Sequence, residues 1–244
     1  MIKNMLHTLR NYLQDIQHFG PAVLGRMLTK TNVDGYSVAQ TRFGKFHLRR
    51  VETDLRVLRQ IFISREYDLD RFPQGELVRS VYEAALQRGK VPLIIDAGAN
   101  AGFAARFFAL AYPQAHILSV EPDSANAAIC RTNTAALPQV EVVEAAIGSQ
   151  SGHVTVEHND GHAWASRTHR ADTGVAVVTI AELKARVAES ELLIVKVDIE
   201  GFESDLFANA TDWIAQTCAV IAEPHDWMRW PRFFGQMVKL GSPL

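Results

Sequence analysis

The stretch from Ile94 to Gly102, written IIDAGANAG, decides the fold of this chain. An apolar run that enters a glycine turn and continues into a helical pattern is typical of the first strand, turn and helix of a nucleotide-binding α/β unit. The turn has two glycines, Gly98 and Gly102, where a dinucleotide loop has three, and Asp96 and Asn100 accompany them. A ligand that fits this turn must therefore suit a carboxylate and a carboxamide.

Downstream of this turn the sequence alternates between apolar runs and helical patterns. The apolar runs cover 115–123, 140–148, 191–201 and 218–226, with helical patterns between them and shorter strands around a polar loop at 152–178. Strands that are apolar almost throughout are buried on both faces, which is typical of a parallel sheet between helices. The sequence predicts an α/β fold with a mostly parallel sheet and helices on both faces.

The residues before the sheet follow a different pattern. Residues 1–30 resemble a helix broken near Gly20 and Pro21, residues 36–50 alternate as a hairpin around Gly44, and 52–69 and 73–90 are helical. We predict an N-terminal helical and hairpin extension over 1–72 and a ligand-binding domain over 73–244. The mildly amphipathic first helix is expected to dock on its own domain or on another subunit, with a membrane surface as the alternative.

The composition excludes several classes of partner. The net charge is −2 without a long basic run, so we expect no nucleic acid, and no apolar run is long enough to span a membrane. The two cysteines, Cys130 in a predicted helix and Cys218 in a predicted strand, suit reduced core thiols. These features together predict a cytoplasmic protein without integral membrane association.

The acid before the turn favours one kind of ligand. A dinucleotide loop holds a pyrophosphate against the following helix N-terminus, and the Asp96 carboxylate would repel it. The same carboxylate attracts a cation, and S-adenosylmethionine carries an ammonium and a sulfonium but no phosphate. Glu121, at the end of the second strand, suits ribose hydroxyls, and the small Ala146 leaves room for an adenine ring. We therefore expect S-adenosylmethionine rather than NAD.

Several longer segments resemble one known family. IIDAGANAGFAARFFALAYPQAHILSVEPD, EAAIGSQSG, VKVDIEGFE, AEPHD and the upstream FHLRRVETDLRVLRQIFISREYDL resemble the FkbM family of S-adenosylmethionine-dependent methyltransferases, over roughly residues 46–228. The resemblance implies a Rossmann-like class I methyltransferase sheet and O-methylation, often of a hydroxyl of a sugar, glycan or secondary metabolite.

The C-terminal segment departs from that family. Family members continue into a final antiparallel hairpin, whereas residues 227–244 show no alternating strand pair. The expected hairpin is then incomplete: either the chain is shortened here, or the N-terminal segment or another subunit covers the sheet edge. Because an uncovered edge pairs with other chains, we expect a homo-oligomer.

The candidate residues form three sets. Those expected to bind the cofactor are Asp96, Ala97, Gly98, Asn100, Gly102, Phe103, Glu121, Pro122, Asp123 and Ala146. The expected catalytic residues are His225 as general base, with Asp198 and Glu200 to hold the acceptor's hydroxyls or to orient the histidine. The loop 152–170 is expected to be a mobile lid over the acceptor, with His158, His162 and Trp164 in contact with it.

Alternatives remain at this stage. A divalent metal bridging the strand-end acids is possible but not expected, and zinc at the lid histidines lacks a third ligand. Asp198 or Glu200 could instead cap the next helix. A non-catalytic cofactor-binding or scaffold protein, and less so an NAD-dependent oxidoreductase, stay open as functions.

Overall fold

The computed structural model describes residues 13–21, 36–49, 52–158, 166–199, 202–208, 211–223 and 237–240. They form two compact units, one up to Glu66 and one from Tyr67 onward. Our predicted domain boundary, after residue 72, lies a few residues beyond the division between these two units, and it stays a prediction. No helix in the described ranges is both long and apolar enough to cross a membrane.

Within its described residues, the first unit has two helices and a hairpin. Residues 13–19 form helix α1, which ends at Gly20 as its sequence predicts, and strands β1 (Ser37–Thr41) and β2 (Gly44–Leu48) pair antiparallel. Helix α2 (Glu52–Phe62) follows. The predicted hairpin around Gly44 is confirmed, because buried Ala39, Phe46 and Leu48 alternate with more exposed neighbours.

The second unit alternates strands and helices. Its first half contains α3 (Gly75–Gln87), β3 (Val91–Ala97), α4 (Phe103–Ala111), β4 (His116–Val120), α5 (Ser124–Thr134), β5 (Val140–Val143) and β6 (Ala146–Ile147). Its second half contains β7 (Gly152–His158), β8 (Ser166–Ala171), β9 (Val175–Val178), α6 (Ile180–Arg186), β10 (Ser190–Val197), α7 (Glu203–Ala208), α8 (Asp212–Ala215), β11 (Ala219–Ala222) and β12 (Met237–Leu240).

The main sheet has the strand order β12-β11-β10-β3-β4-β5, and its last five strands are parallel. One face packs into a core with α6, α7 and α8, and α3 and α4 contact β3. The predicted α/β sheet with helices on both faces is confirmed. From β3 the chain continues to β4 and β5 on one side of the sheet, and from β10 it continues to β11 on the other side. Ligands of such sheets bind where the strand order reverses, so the crevice between the carboxyl ends of β3 and β10 is the expected ligand site.

The C-terminal edge differs from our expectation. Strand β12 pairs antiparallel with β11, with Met237 opposite Ala222 and Leu240 opposite Ala219. The expectation that this edge is left open, or is covered by the N-terminal segment or another subunit, is wrong, because β12 pairs with β11. The argument for self-association from an uncovered edge therefore fails here, and the homo-oligomer itself stays a prediction.

A second sheet has the strand order β6-β9-β7-β8. Its β7 and β8 form an antiparallel hairpin that runs from His153 opposite Ala171 to His158 opposite Ser166. The short strand predicted at the start of this segment is confirmed as β7, and residues 166–171 form a strand where a loop was expected. The role of the hairpin as a mobile lid stays a prediction. Residues 159–165, between the two arms, lie outside the described residues.

Candidate active site

The glycine turn brings the ends of β3 and β10 into direct contact. Gly98 has a φ of +78°, and a Cβ on it would lie 1.7 Å from the carbonyl oxygen of Asp198. Gly102 has a φ of +79°, and its Cβ would lie 2.9 Å from Cys130 Sγ. We expected these glycines to let the backbone approach a ligand. The structure shows that they already let the backbone approach other parts of the chain.

Glu121 holds the turn from the end of β4. Its carboxylate accepts hydrogen bonds from the backbone N–H of Asn100 at 2.8 Å and of Asp123 at 3.0 Å, and from the Asn126 side chain at 3.2 Å. Burial raises the pKa of Glu121, and these hydrogen bonds oppose that rise. Asn100 has a φ of +47°, which this anchoring supports. The contact of Glu121 with a ribose stays a prediction.

Asp96 is fully buried in β3, and its contact with the cofactor stays a prediction. It is 0% exposed, and in the sheet it stands between Lys196 of β10 and Ser119 of β4. Its carboxylate oxygen lies 3.2 Å from Lys196 Nζ. Burial raises the pKa of Asp96, while Lys196 opposes the rise. The cation that Asp96 contacts in this structure thus comes from the chain itself, which the sequence analysis did not foresee.

Lys196 joins several groups of the turn. Its ammonium donates to the carbonyl oxygens of Gly98 at 2.8 Å and Ala97 at 3.2 Å, and lies 3.5 Å from the Asp198 carboxylate. Burial alone would lower the pKa of Lys196, but Asp96, Tyr67 and Asp198 outweigh it and raise the pKa well above its ordinary value. Lys196 thus places a buried ammonium group against the ends of β3 and β10.

The other predicted cofactor residues occupy different positions around this edge. Ala97 ends β3 and Phe103 begins α4, both buried, while Pro122 is half-buried. Asp123 caps α5, because its carboxylate accepts a hydrogen bond from the N–H of Asn126 at 2.7 Å. Ala146 is buried in β6, in the second sheet.

The predicted catalytic residues are only partly described. Asp198 follows β10 directly, and its side chain is 26% exposed. Glu200 and His225 lie outside the described residues, so their roles stay predictions. Glu203 was missed: it is 1% exposed, and its carboxylate accepts a hydrogen bond from the N–H of Ile199 at 3.3 Å. It holds the segment that follows Asp198.

The predicted acceptor and metal sites are not tested. His158 ends β7 and its side chain is not described, while His162 and Trp164 lie outside the described residues. Within the part of the chain that the structure describes, no group of three His, Cys, Asp or Glu side chains could hold a metal ion. Both cysteines are free, with Cys130 buried in α5.

Comparison with known proteins decides the family. The Methyltransferase FkbM domain matches residues 96–239, which begin at Asp96 near the end of β3 and run almost to the end of β12. The chain belongs to the FkbM methyltransferase family. The strands and turns from Asp96 to Lys239 lie within the matched family domain.

One curated relative of this family member is the 2-O-methyltransferase NoeI of Sinorhizobium fredii (strain NBRC 101917 / NGR234). It is 26% identical over 155 residues, which are 55% of this chain and 64% of the relative. The chain thus spans less than two thirds of that relative's length.

Two solved structures are also similar to the chain. A caffeoyl-CoA O-methyltransferase candidate from Staphylococcus aureus is 15% identical over 69% of this chain and 70% of its own, with a TM-score of 0.34. The plantazolicin methyltransferase BpumL, in complex with a pentazolic desmethylPZN analog and SAH, is 12% identical. It covers 68% of this chain and 55% of its own, with a TM-score of 0.27.

Proposed function

We propose that this protein is an S-adenosylmethionine-dependent O-methyltransferase that acts on a hydroxyl of a sugar, glycan or secondary metabolite. One observation carries the proposal: the FkbM domain match begins at Asp96 and covers the crevice between β3 and β10, where ligands of open parallel sheets bind. The name of the relative NoeI, a 2-O-methyltransferase, supports a hydroxyl as the group that receives the methyl.

The chemistry of this edge fits S-adenosylmethionine. The carboxyl groups of Glu121, Asp123, Asp198 and Glu223 lie at or just after the ends of parallel strands, and Asp96 is buried close below. An acidic edge favours a ligand with an ammonium and a sulfonium and disfavours the pyrophosphate of NAD. In this proposal the turn from Asp96 to Phe103 surrounds the methionine part. Glu121 and Pro122 face the ribose, and Asp123 and Ala146 the adenine.

The bound cofactor supplies a methyl group already activated on sulfur. The chain has to hold the acceptor oxygen in line with that methyl, and good alignment corresponds to effective molarities of about 10⁵ M or more. His225 removes the hydroxyl proton in this proposal, which contributes roughly 10²–10⁴-fold. Asp198 and Glu200 hold the acceptor's other hydroxyls or orient His225, and no metal is needed.

The acceptor site is proposed at the hairpin of β7 and β8. His158, His162 and Trp164 contact the acceptor, with the Trp164 indole stacked on a sugar ring. We keep the cytoplasm as the location, a homo-oligomer as the assembly, and a small molecule or glycan, not nucleic acid, as the partner.

Calorimetry and a transfer assay test the proposal together. S-adenosylmethionine and S-adenosylhomocysteine are expected to bind and NAD is not. Incubation with hydroxyl-bearing sugars and glycans should then release S-adenosylhomocysteine. Binding of NAD in place of the methyl donor would identify an oxidoreductase. Cofactor binding without transfer to any acceptor would favour a scaffold or sensor.

A further inference from the structure

Lys196 is a charged residue inside an apolar strand. It follows Leu192, Leu193, Ile194 and Val195 in β10 and is 2% exposed. Burying an ammonium ion is costly unless nearby groups replace the lost water. The contacts of Lys196 therefore show what the protein gains from keeping it there.

These contacts exceed what a counterion for Asp96 requires. Neutralising the Asp96 carboxylate needs only the 3.2 Å contact between the two side chains. The same ammonium also donates to the carbonyl oxygens of Ala97 and Gly98 and lies 3.5 Å from the Asp198 carboxylate. It thus connects the turn after β3 with the first residue after β10.

The backbone hydrogen bonds of this junction join other groups than those that Lys196 contacts. The Asp198 N–H donates to the Ala97 carbonyl at 3.1 Å, and the Gly98 N–H donates to Val120 in β4. Neither of these bonds involves the Gly98 carbonyl or the Asp198 carboxylate. Lys196 contacts both, and alternate residues of a strand lie on one face, so that Lys196 and Asp198 lie on the same side of β10.

We propose that Lys196 is a positioning residue for methyl transfer, which holds the Gly98 carbonyl and the Asp198 carboxylate in one fixed arrangement at the crevice. The inference rests on the proposed function, in which the methionine part of the cofactor meets the acceptor beside these two groups. Without Lys196 the turn samples other shapes, and the cofactor binds less tightly.

A pair of variants separates positioning from charge neutralisation. Asp96→Asn removes the buried carboxylate charge and keeps Lys196. Asp96→Asn with Lys196→Met removes both charges and keeps the length of the side chain. Comparison of these two variants with each other excludes the destabilisation that an unpaired buried Asp96 would cause in Lys196→Met alone.

Hydrogen exchange of the ligand-free protein provides the first measurement. We expect amides of the segment 97–103 to exchange at least about tenfold faster in the double variant than in Asp96→Asn, as for the loss of a hydrogen bond from a charged donor. Strand β7 in the second sheet serves as internal control, and its exchange should stay unchanged. A merely less stable fold would exchange faster in both places.

Calorimetry with S-adenosylhomocysteine provides the second measurement. The double variant should bind it at least about tenfold more weakly than Asp96→Asn does. With an acceptor found by the transfer assay, kcat should fall, because the cofactor and the Asp198 carboxylate both lose their fixed positions.

Three results would overturn the proposal. Exchange over 97–103 and affinity that agree within about twofold in the two variants would make Lys196 a mere counterion of Asp96. Faster exchange throughout the molecule would make it a residue of the general fold. A double variant that does not fold would likewise make Lys196 a residue of the general fold. If the wild-type protein binds no S-adenosylmethionine, the proposed function fails, whereas the exchange comparison still tests the contacts of Lys196.

Discussion

Replacement of Gly98 by alanine tests the close contact between β3 and β10. Gly89, which follows α3, is a matched control: its φ is +71°, close to the +78° of Gly98, yet a Cβ there would meet nothing within 4 Å. Both substitutions place a Cβ on a left-handed backbone, which costs roughly 1–2 kcal/mol. Gly98→Ala and Gly89→Ala therefore share the conformational cost and differ in the contact alone.

The contact makes Gly98→Ala the more damaging change. Its Cβ would lie 1.7 Å from the Asp198 carbonyl oxygen, so the backbone of one strand end has to move. Overpacking of this kind costs about 1–3 kcal/mol, and loss of the hydrogen bond from Asp198 N–H to Ala97 adds about 1 kcal/mol. We expect a loss of unfolding free energy of roughly 3–6 kcal/mol, against roughly 1–2 kcal/mol for Gly89→Ala.

Urea unfolding followed by circular dichroism and tryptophan fluorescence measures both losses. Trp213 is buried against α7 and the main sheet, so its emission reports the integrity of the core. Equal losses for the two variants would refute the argument, because the contact with Asp198 would then contribute nothing. A Gly98→Ala protein as stable as the wild type would refute it as well.

Three further predictions concern pH and chemistry. The Ser151 hydroxyl and the capping of α6 at Thr179 lower the pKa of Glu182 from 4.5, so its contribution to stability is present above that value and disappears as the pH falls through the lower folded pKa. Urea midpoints measured from neutral to acidic pH should fall less steeply in Glu182→Gln. His225→Ala should reduce methyl transfer about 10²-fold or more with cofactor affinity retained, and a chelator should not change wild-type turnover. An active His225→Ala variant together with loss of wild-type turnover in the chelator would favour a metal. Deletion of residues 159–165 should reduce turnover and leave cofactor binding nearly intact. Loss of cofactor binding as well would contradict the assignment of this segment to the acceptor.

The strands of the main sheet were predictable because each is a continuous apolar run. Parallel strands covered on both faces leave this signal in local sequence. The run at 91–98 matches β3 to within one residue, whereas the run at 191–201 continues four residues past the end of β10. The first arm of the hairpin was predictable as a short strand, whereas the second arm was assigned to a loop because Arg167, His169 and Arg170 make it polar. Strand β12 was missed because four residues carry too little alternation.

The partners of the acidic residues were not predictable from local sequence. Asp96 and Lys196 meet only because β3 and β10 are neighbours in a particular register, and nothing near either residue in the sequence specifies that pairing. Glu121 was chosen correctly as a strand-end acid, but its hydrogen bonds to the turn depend on how α5 and the turn pack around it. Side-chain pairing across distant strands is a property of the folded chain.

The base of the second sheet has a consequence for how this protein can diversify. Strands β6 and β9 pair side by side, with Ala146 opposite Val177, so the chain leaves the second sheet after β6 and re-enters it on the neighbouring strand. Residues between these two strands can be added or removed while the two ends of the segment stay on neighbouring strands. Each doubling of a loop's length costs only about 0.6 kcal/mol of loop-closure free energy. Exchange of this excursion between relatives, or its randomisation in a library, should therefore be tolerated by the parallel sheet.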